Sequence, residues 1–179
     1  MITGRALYRD EIKAVWTIDR AEVIEAVYYL EDGALVLRPE HYDMHGWPKG
    51  EDARYTPELE ACFDGGGWFH GLFDGAKLVG VAVLEGRFIG GDKDELQLKF
   101  LHVGSGHRDR GLGKLLFRLA ADEARRRGAK RMYISATPSE RTVGFYLRLG
   151  CEVTLEPDPE LFELEPKDIH LKYDLASSR

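Results

Sequence analysis

Arg108, Arg110 and Lys114 surround two glycines in the segment Arg108-Asp109-Arg110-Gly111-Leu112-Gly113-Lys114. Positive side chains beside a flexible backbone are suited to holding a bulky anion. The suitability grows if a helix starts there, because its first amides lack partners and its dipole end is positive. A phosphate or pyrophosphate is the expected ligand. A nucleotide triphosphate loop is excluded: Arg108 stands where its first glycine belongs, and Leu115 follows Lys114 where Ser or Thr is required. The pattern Gly-x-Gly-x-x-Gly is also missing from this segment. The bland alternative is a tight bend between a strand and a helix, with no ligand.

Other reactive side chains are scattered. Tyr146 shares a helical face with Val143, Leu147 and Gly150, which suits a core aromatic. His41, Asp43 and His45 lie close together, but spacing fixes no third metal ligand, so no metal is expected. Tyr42, Asp43 and Trp47 offer charge and an aromatic face to an amine. Cys62 and Cys151 form no Cys-x-x-Cys pair; reduced thiols are expected, with Cys151 in the core.

The elements that must position these groups follow from periodicity. The apolar run Leu96 to Val103 reads as a strand feeding the glycine turn. Leu112, Leu115, Leu116, Leu119 and Ala120 then repeat at helical spacing, to about Arg127, where Gly128 stops the helix. Arg131–Ala136 reads as a strand. Ser139 caps a helix that ends near Leu149, and Cys151–Leu155 and Ile169–Leu175 are strands joined by a Pro/Glu/Asp-rich connector. Upstream, residues 9–19 read as a short helix. Glu22–Leu30 with Ala34–Leu37, and Trp68–Phe73 with Lys77–Leu84, read as hairpins around Glu31-Asp32-Gly33 and Asp74-Gly75. Residues 38–55 read as a long loop, before a helix capped by Thr56 with Pro57 in its first turn. Residues 86–94 read as a strand end and turn. The outcome is an α/β chain with a mixed sheet and helices packed on it.

A length of 179 residues, with no divisive linker, predicts one domain over 1–179. The net charge of −6 argues against nucleic acid as partner. Apolar runs are only strand-sized and no signal segment is present, so no membrane partner and a cytoplasmic setting are expected. A monomer or a homodimer is expected.

Two segments carry a family resemblance. Arg108-Asp109-Arg110-Gly111-Leu112-Gly113 follows a strand with Leu98, Leu101 and Val103, and Phe145-Tyr146-Leu147-Arg148-Leu149-Gly150-Cys151 comes about 35 residues later, led in by Thr137 to Thr142. In order and context they resemble the motifs of the GNAT superfamily of acyl-CoA-dependent N-acetyltransferases, Gln/Arg-x-x-Gly-x-Gly/Ala and Phe-Tyr-x-x-x-Gly-Phe. The resemblance covers residues 68–155, the expected acyl-CoA core. It leaves residues 1–67 as variable acceptor-side elements and 156–179 as a C-terminal strand region.

The resemblance implies a GNAT-type fold with a central, mostly antiparallel mixed sheet. It implies acetyl-CoA as donor, bound by Leu101, His102, Val103, Arg108, Asp109, Arg110, Gly111, Leu112, Gly113, Lys114, Ser139 and Tyr146. It also implies transfer to a primary amine of a small molecule by direct attack, with Tyr146 protonating the departing thiolate and backbone N–H groups near Leu101 to Val103 stabilising the oxyanion. Rival readings are a noncatalytic acyl-CoA sensor or interaction module, and a protein acetyltransferase. Two departures stand out. Ser139 replaces a common Asn, and Gln97 replaces a common Glu that serves as base in some members. Glu95, Glu85, His102, His70 and Asp43 are then the candidate bases. Glu95 is placed in the site because it shares a strand face with Gln97, whereas alternation puts His102 on the opposite face unless a bulge intervenes.

Overall fold

The computed structural model describes residues 1–176. In chain order it comprises β1 (Ile2–Ala6), a 3₁₀ helix (Arg9–Thr17), β2 (Glu22–Glu31), β3 (Ala34–Met44), α1 (Glu51–Asp64), β4 (Trp68–Asp74), β5 (Lys77–Ile89), β6 (Glu95–Val103), a 3₁₀ turn (Ser105–His107), α2 (Leu112–Arg126), β7 (Arg131–Ala136), α3 (Glu140–Arg148), β8 (Glu152–Val153), α4 (Pro159–Leu164) and β9 (Ile169–Asp174). Seven strands form one sheet in the order β1-β4-β5-β6-β7-β9-β8, and β2 and β3 pair separately as a hairpin. The β6–β7 pair is parallel and the other pairs are antiparallel.

Helices cover both faces of the sheet. α2 buries Leu116, Phe117, Ala120, Ala121 and Ala124 against β5, β6 and β7 together with α3; of the stripe expected from the sequence only Leu116 and Ala120 are fully buried, Leu112 and Leu119 are partly so, and Leu115 faces solvent. On the other face the 3₁₀ helix and α1 pack Ile12, Val15, Leu59 and Cys62 onto Phe69, Val81 and Val83. Both cysteines are free and buried; the core position is the expected one for Cys151, and Cys62 joins the opposite core.

Several boundaries differ from the sequence expectation. β3 extends to Met44, so residues 38–44 are strand rather than loop. Pro39 is accommodated because β3 itself bulges beside it: Glu40 and His41 together lie opposite Glu25, between the Ile24↔Tyr42 and Ala26↔Pro39 pairs. α1 starts at Glu51 after Gly50 in left-handed geometry, which leaves Thr56 and Pro57 inside the helix. Thr56 therefore caps nothing; its hydroxyl accepts the Trp16 indole N–H at 2.9 Å. β1 and α4 were not anticipated. α4 does carry a start signal, since Asp158 accepts the Leu161 amide and Pro159 opens the helix.

Candidate active site

A cleft of about 940 Å³ opens where the parallel strands separate. β6 and β7 pair only through Glu95↔Arg131, Leu96↔Met132 and Gln97↔Tyr133. From Leu98 onward the β7-facing edge of β6 has no strand beside it, so its backbone polar groups are available.

A β-bulge lies at this fork. Leu84 pairs with Leu98 and Val83 with Phe100, so Lys99 is the extra residue. The bulge reverses the side-chain alternation. Before it Leu96 and Leu98 face α2; after it Leu101 and Val103 do, and Phe100 joins the opposite core. His102 is thereby turned onto the Gln97 side and lines the cleft with Gln97, Leu101 and Val103. Its ring packs against Trp47 and Phe100, with centroids at 4.8 and 4.6 Å. Burial, reinforced by Arg20 and Arg108, pushes its pKa down to about 3, so the imidazole is neutral at pH 7.

The glycine turn forms the second wall. Asp109 and Gly111 both take positive φ (59° and 76°), and the first intrahelical bond of α2 is Leu115 N–H to Gly111 O at 3.0 Å. The amides of Leu112, Gly113 and Lys114 precede that bond and point out of the helix start. Arg108, Asp109, Gly111, Leu112, Gly113 and Lys114 line the cleft, and Arg141 and Arg148 of α3 add positive charge. The two glycines serve different purposes. Gly111 is required for its backbone angle, whereas a Cβ at Gly113 would meet the Phe145 ring at 3.2 Å. Arg108 is less a free anion ligand than a clasp: its guanidinium donates to the carbonyls of Ala21 (2.9 Å) and Val103 (3.3 Å). Asp109 pairs with Arg141 at 3.1 Å.

Tyr146 of α3 lines the cleft between these walls and is 6% exposed, packed on Phe145 and Phe117. Burial, with Cys151 adding to it, raises its phenol above the usual value. Among the described residues no fully enclosed side-chain polar atom lacks a partner. The Tyr146 hydroxyl, for which no hydrogen bond is formed within that set, therefore reaches the cleft surface.

The remaining wall comes from both ends of the chain. Arg20, Trp47, Glu51 and Tyr55 contribute from the N-terminal third, and Leu161, Leu164, Glu165 and Asp168 from the segment before β9. Trp47 donates its indole N–H to Ile18 O at 2.9 Å and stacks on Phe100 at 5.9 Å. Tyr55 donates to Glu165 at 2.7 Å, joining α1 to the C-terminal segment. These C-terminal lining residues carry no sequence motif; only the folded chain brings them to the fork.

Five expected positions lie elsewhere. Glu95 shares a strand face with Gln97 but stands where β6 and β7 are still paired, short of the fork. It is 3% exposed, and Arg131 and Lys172 each hold its carboxylate at 3.1 Å. Ser139 is buried as the cap of α3, accepting the Thr142 amide at 3.3 Å and donating to the Thr142 hydroxyl at 2.9 Å. Arg110 is exposed and outside the cleft. Tyr42 and Asp43 lie on β3, away from Trp47's position at the cleft. Among the other base candidates, Glu85 pairs with Lys99 at 3.7 Å and His70 stacks on Trp68 at 5.4 Å. His41 pairs with Glu25 at 3.0 Å.

A sheet forked between two parallel strands, with a helix aimed into the fork, defines the class of acetyl-transferring folds. The sequence profile of the Acetyltransferase (GNAT) family matches residues 33–151. The chain belongs to that family and is an acetyltransferase. The match reaches well upstream of residue 68, so β3 and α1 fall within the family pattern. No curated protein sequence matches the chain. Among solved structures it is similar to nourseothricin acetyltransferase (18% identity, TM-score 0.68, covering 96% of this chain and 95% of that one). It is also similar to a putative streptothricin acetyltransferase from Bacillus anthracis str. Ames in complex with acetyl coenzyme A (14%, TM-score 0.69, 96% of each chain). A third is the PaiA N-acetyltransferase from Thermoplasma acidophilum in complex with coenzyme A (14%, TM-score 0.62, 97% of this chain and 99% of that one). At these identities the likeness is one of fold. Among the described residues no helix is long and apolar enough to cross a membrane.

Proposed function

We propose that this protein transfers the acetyl group of acetyl-CoA to a primary amine of a small molecule by direct attack. The observation that carries the reading is the continuity of one cleft, from the open amides at the start of α2, along the unpaired β6 edge, to the Tyr146 hydroxyl. The α2 amides with Lys114, Arg141 and Arg148 suit a pyrophosphate. The free β6 edge suits a ligand that itself carries amides, and so suits the arm of CoA. Similar folds with bound CoA or acetyl-CoA support the same donor.

In this reading the amides around Leu101 to Val103 hold the oxyanion that forms when the amine adds to the thioester carbonyl. Tyr146 gives its proton to the departing thiolate, and its packed ring fixes the hydroxyl in place. No covalent bond to the enzyme is needed. The hydrogen bond from Tyr55 to Glu165 ties α1 to the C-terminal segment within the cleft wall, which supports a small amine over a protein tail as acceptor. The test is thiol release from acetyl-CoA with a panel of primary amines, alongside calorimetric acetyl-CoA binding. Turnover with small amines is expected; tight binding with no turnover would make the chain a sensor, and turnover with peptides alone would make it a protein acetyltransferase.

A further inference from the structure

We propose that Asp168 is the proton acceptor of this reaction, and that the acceptor amine arrives as an ammonium ion paired with its carboxylate. The inference rests on the acetyl-transfer reading above and adds the residue that makes the nitrogen nucleophilic.

Asp168 immediately precedes β9, whose Ile169 pairs with Ala136 of β7. Ser135 lies two residues beyond Tyr133, the last β7 residue joined to β6, and so stands at the mouth of the fork. Its hydroxyl donates to Asp168 Oδ2 at 2.9 Å. Both side chains line the same cleft as Gln97 and Tyr146. The one carboxylate with a serine bond at the fork is therefore in the wall shared by donor and acceptor.

The other acids of the cleft are otherwise engaged or remote from its interior. Asp109 is tied to Arg141 and Glu51 faces Arg20 at 3.9 Å. Glu165 takes the Tyr55 hydroxyl, Glu22 faces the Arg108 guanidinium, and Glu58 and Glu140 are exposed. Gln97 has no basic site, and the His102 imidazole is far too weak a base.

Asp168 is also rigidly mounted. Its amide donates to Glu165 O at 3.2 Å, and that carbonyl accepts His170 Nε2 at 3.2 Å. His170 Nδ1 then accepts the Tyr133 hydroxyl at 2.6 Å, while that hydroxyl accepts the Asp158 amide at 2.9 Å. Tyr133 belongs to the core of β7, so the segment carrying Asp168 is fastened to the sheet that forms the fork.

Burial raises the Asp168 pKa to about 6. Its Ser135 bond opposes the rise, the Glu165 carboxylate adds to it, and Arg20 opposes it. At neutral pH the group is ionised, yet is a better proton acceptor than an ordinary aspartate. The step balances as follows. Asp168 takes one proton from the ammonium, and the freed nitrogen pair forms the C–N bond at the thioester carbonyl. Collapse breaks the C–S bond; Tyr146 protonates the thiolate and is restored by the second nitrogen proton. The products are the amide, the free thiol and one proton, which Asp168 releases to water.

The test uses the full chain with butylamine, putrescine and lysinamide as probes, reading thiol release against pH. The wild type is expected to lose kcat/KM as pH falls through about 6. Asp168→Asn is expected to lose about 100-fold or more and to lose that limb, with acetyl-CoA affinity and melting temperature unchanged. Asp168→Glu should regain part of the rate, and Ser135→Ala should move the limb to higher pH, because a bond favouring the carboxylate is gone. An Asp168→Asn enzyme within threefold of wild type, or one that keeps the limb, overturns the assignment of Asp168 alone. Wild-type protein that binds acetyl-CoA and acetylates none of the probes overturns the transferase reading, and this inference with it.

Discussion

Tyr146→Phe keeps the ring packed on Phe145 and Phe117 and removes one hydroxyl. If that hydroxyl protonates the thiolate, kcat should fall about 10²–10⁴-fold, while calorimetric acetyl-CoA affinity stays within twofold; an unchanged kcat removes Tyr146 from the chemistry. The two glycines of the turn predict distinct defects. Gly111→Ala meets open space but forces a side chain to φ 76°, costing about 1 kcal/mol. Acetyl-CoA affinity should drop with it, because the relaxed turn re-aims the amides. Gly113→Ala presses on Phe145 and should cost about 1–3 kcal/mol in chemical denaturation. Phe145→Leu in the same chain should return part of that loss, a coupling that Gly111→Ala would not show. The sequence made the turn legible because glycine spacing and flanking charge are local facts. It did not distinguish an angle from a packing gap, since the Phe145 ring that decides Gly113 lies beyond the rest of α2 and all of β7.

Elements register in sequence to the extent that one face is buried. α2 is readable to its last turn because apolar residues recur at helical spacing along it, although the face it buries is rotated from the one they suggest, leaving Leu115 exposed. The second half of β3 is hard to read because most of the strand is exposed on both faces, so no alternation marks it, and Pro39 looks like a stop until β3 is seen to bulge next to it. The bulge at Lys99 has no sequence signal at all, yet it decides on which face His102 emerges. Two further outcomes belong to this scale. Ser139→Ala removes the cap of α3 and should cost about 1 kcal/mol, measured by urea unfolding, with acetyl-CoA affinity nearly intact; a large affinity loss would instead restore Ser139 as a donor contact. At the other end of α2, Arg126 and Arg127 pull the Glu123 pKa down to about 2 from its ordinary 4.5. A depressed carboxylate adds stability that is complete above the ordinary value and fades as pH falls toward about 2. Glu123→Gln should therefore lower the melting temperature at neutral pH, and the gap should close as the solution is acidified through that window.

For the molecule as a whole, the fold class and the glycine-turn wall of the cleft were within reach of the sequence, because each rests on motifs. The opposite wall was not. It is assembled from Arg20, Trp47, Tyr55, Glu165 and Asp168, which are separated by as many as 110 residues in a single hydrogen-bonded pair, and no short-range pattern records such a meeting. In the sheet joining these parts, β6 and β7 share only three pairs, so the core beneath them carries more of the cohesion. Leu116 is fully buried there, and Leu116→Ala should cost about 2–5 kcal/mol.

The three-rung seam between β6 and β7 has one more consequence. Beyond the seam the two strands are joined through α2 and their outer neighbours rather than by rungs of their own, and a donor lodged in the gap would supply some of the missing rungs. Donor occupancy should then slow amide deuterium uptake selectively across residues 98–103 and 134–136, leaving β1 and the β2–β3 hairpin at their free rates. In that picture the substrate is also a removable structural member, and the enzyme is stiffest while it is about to react.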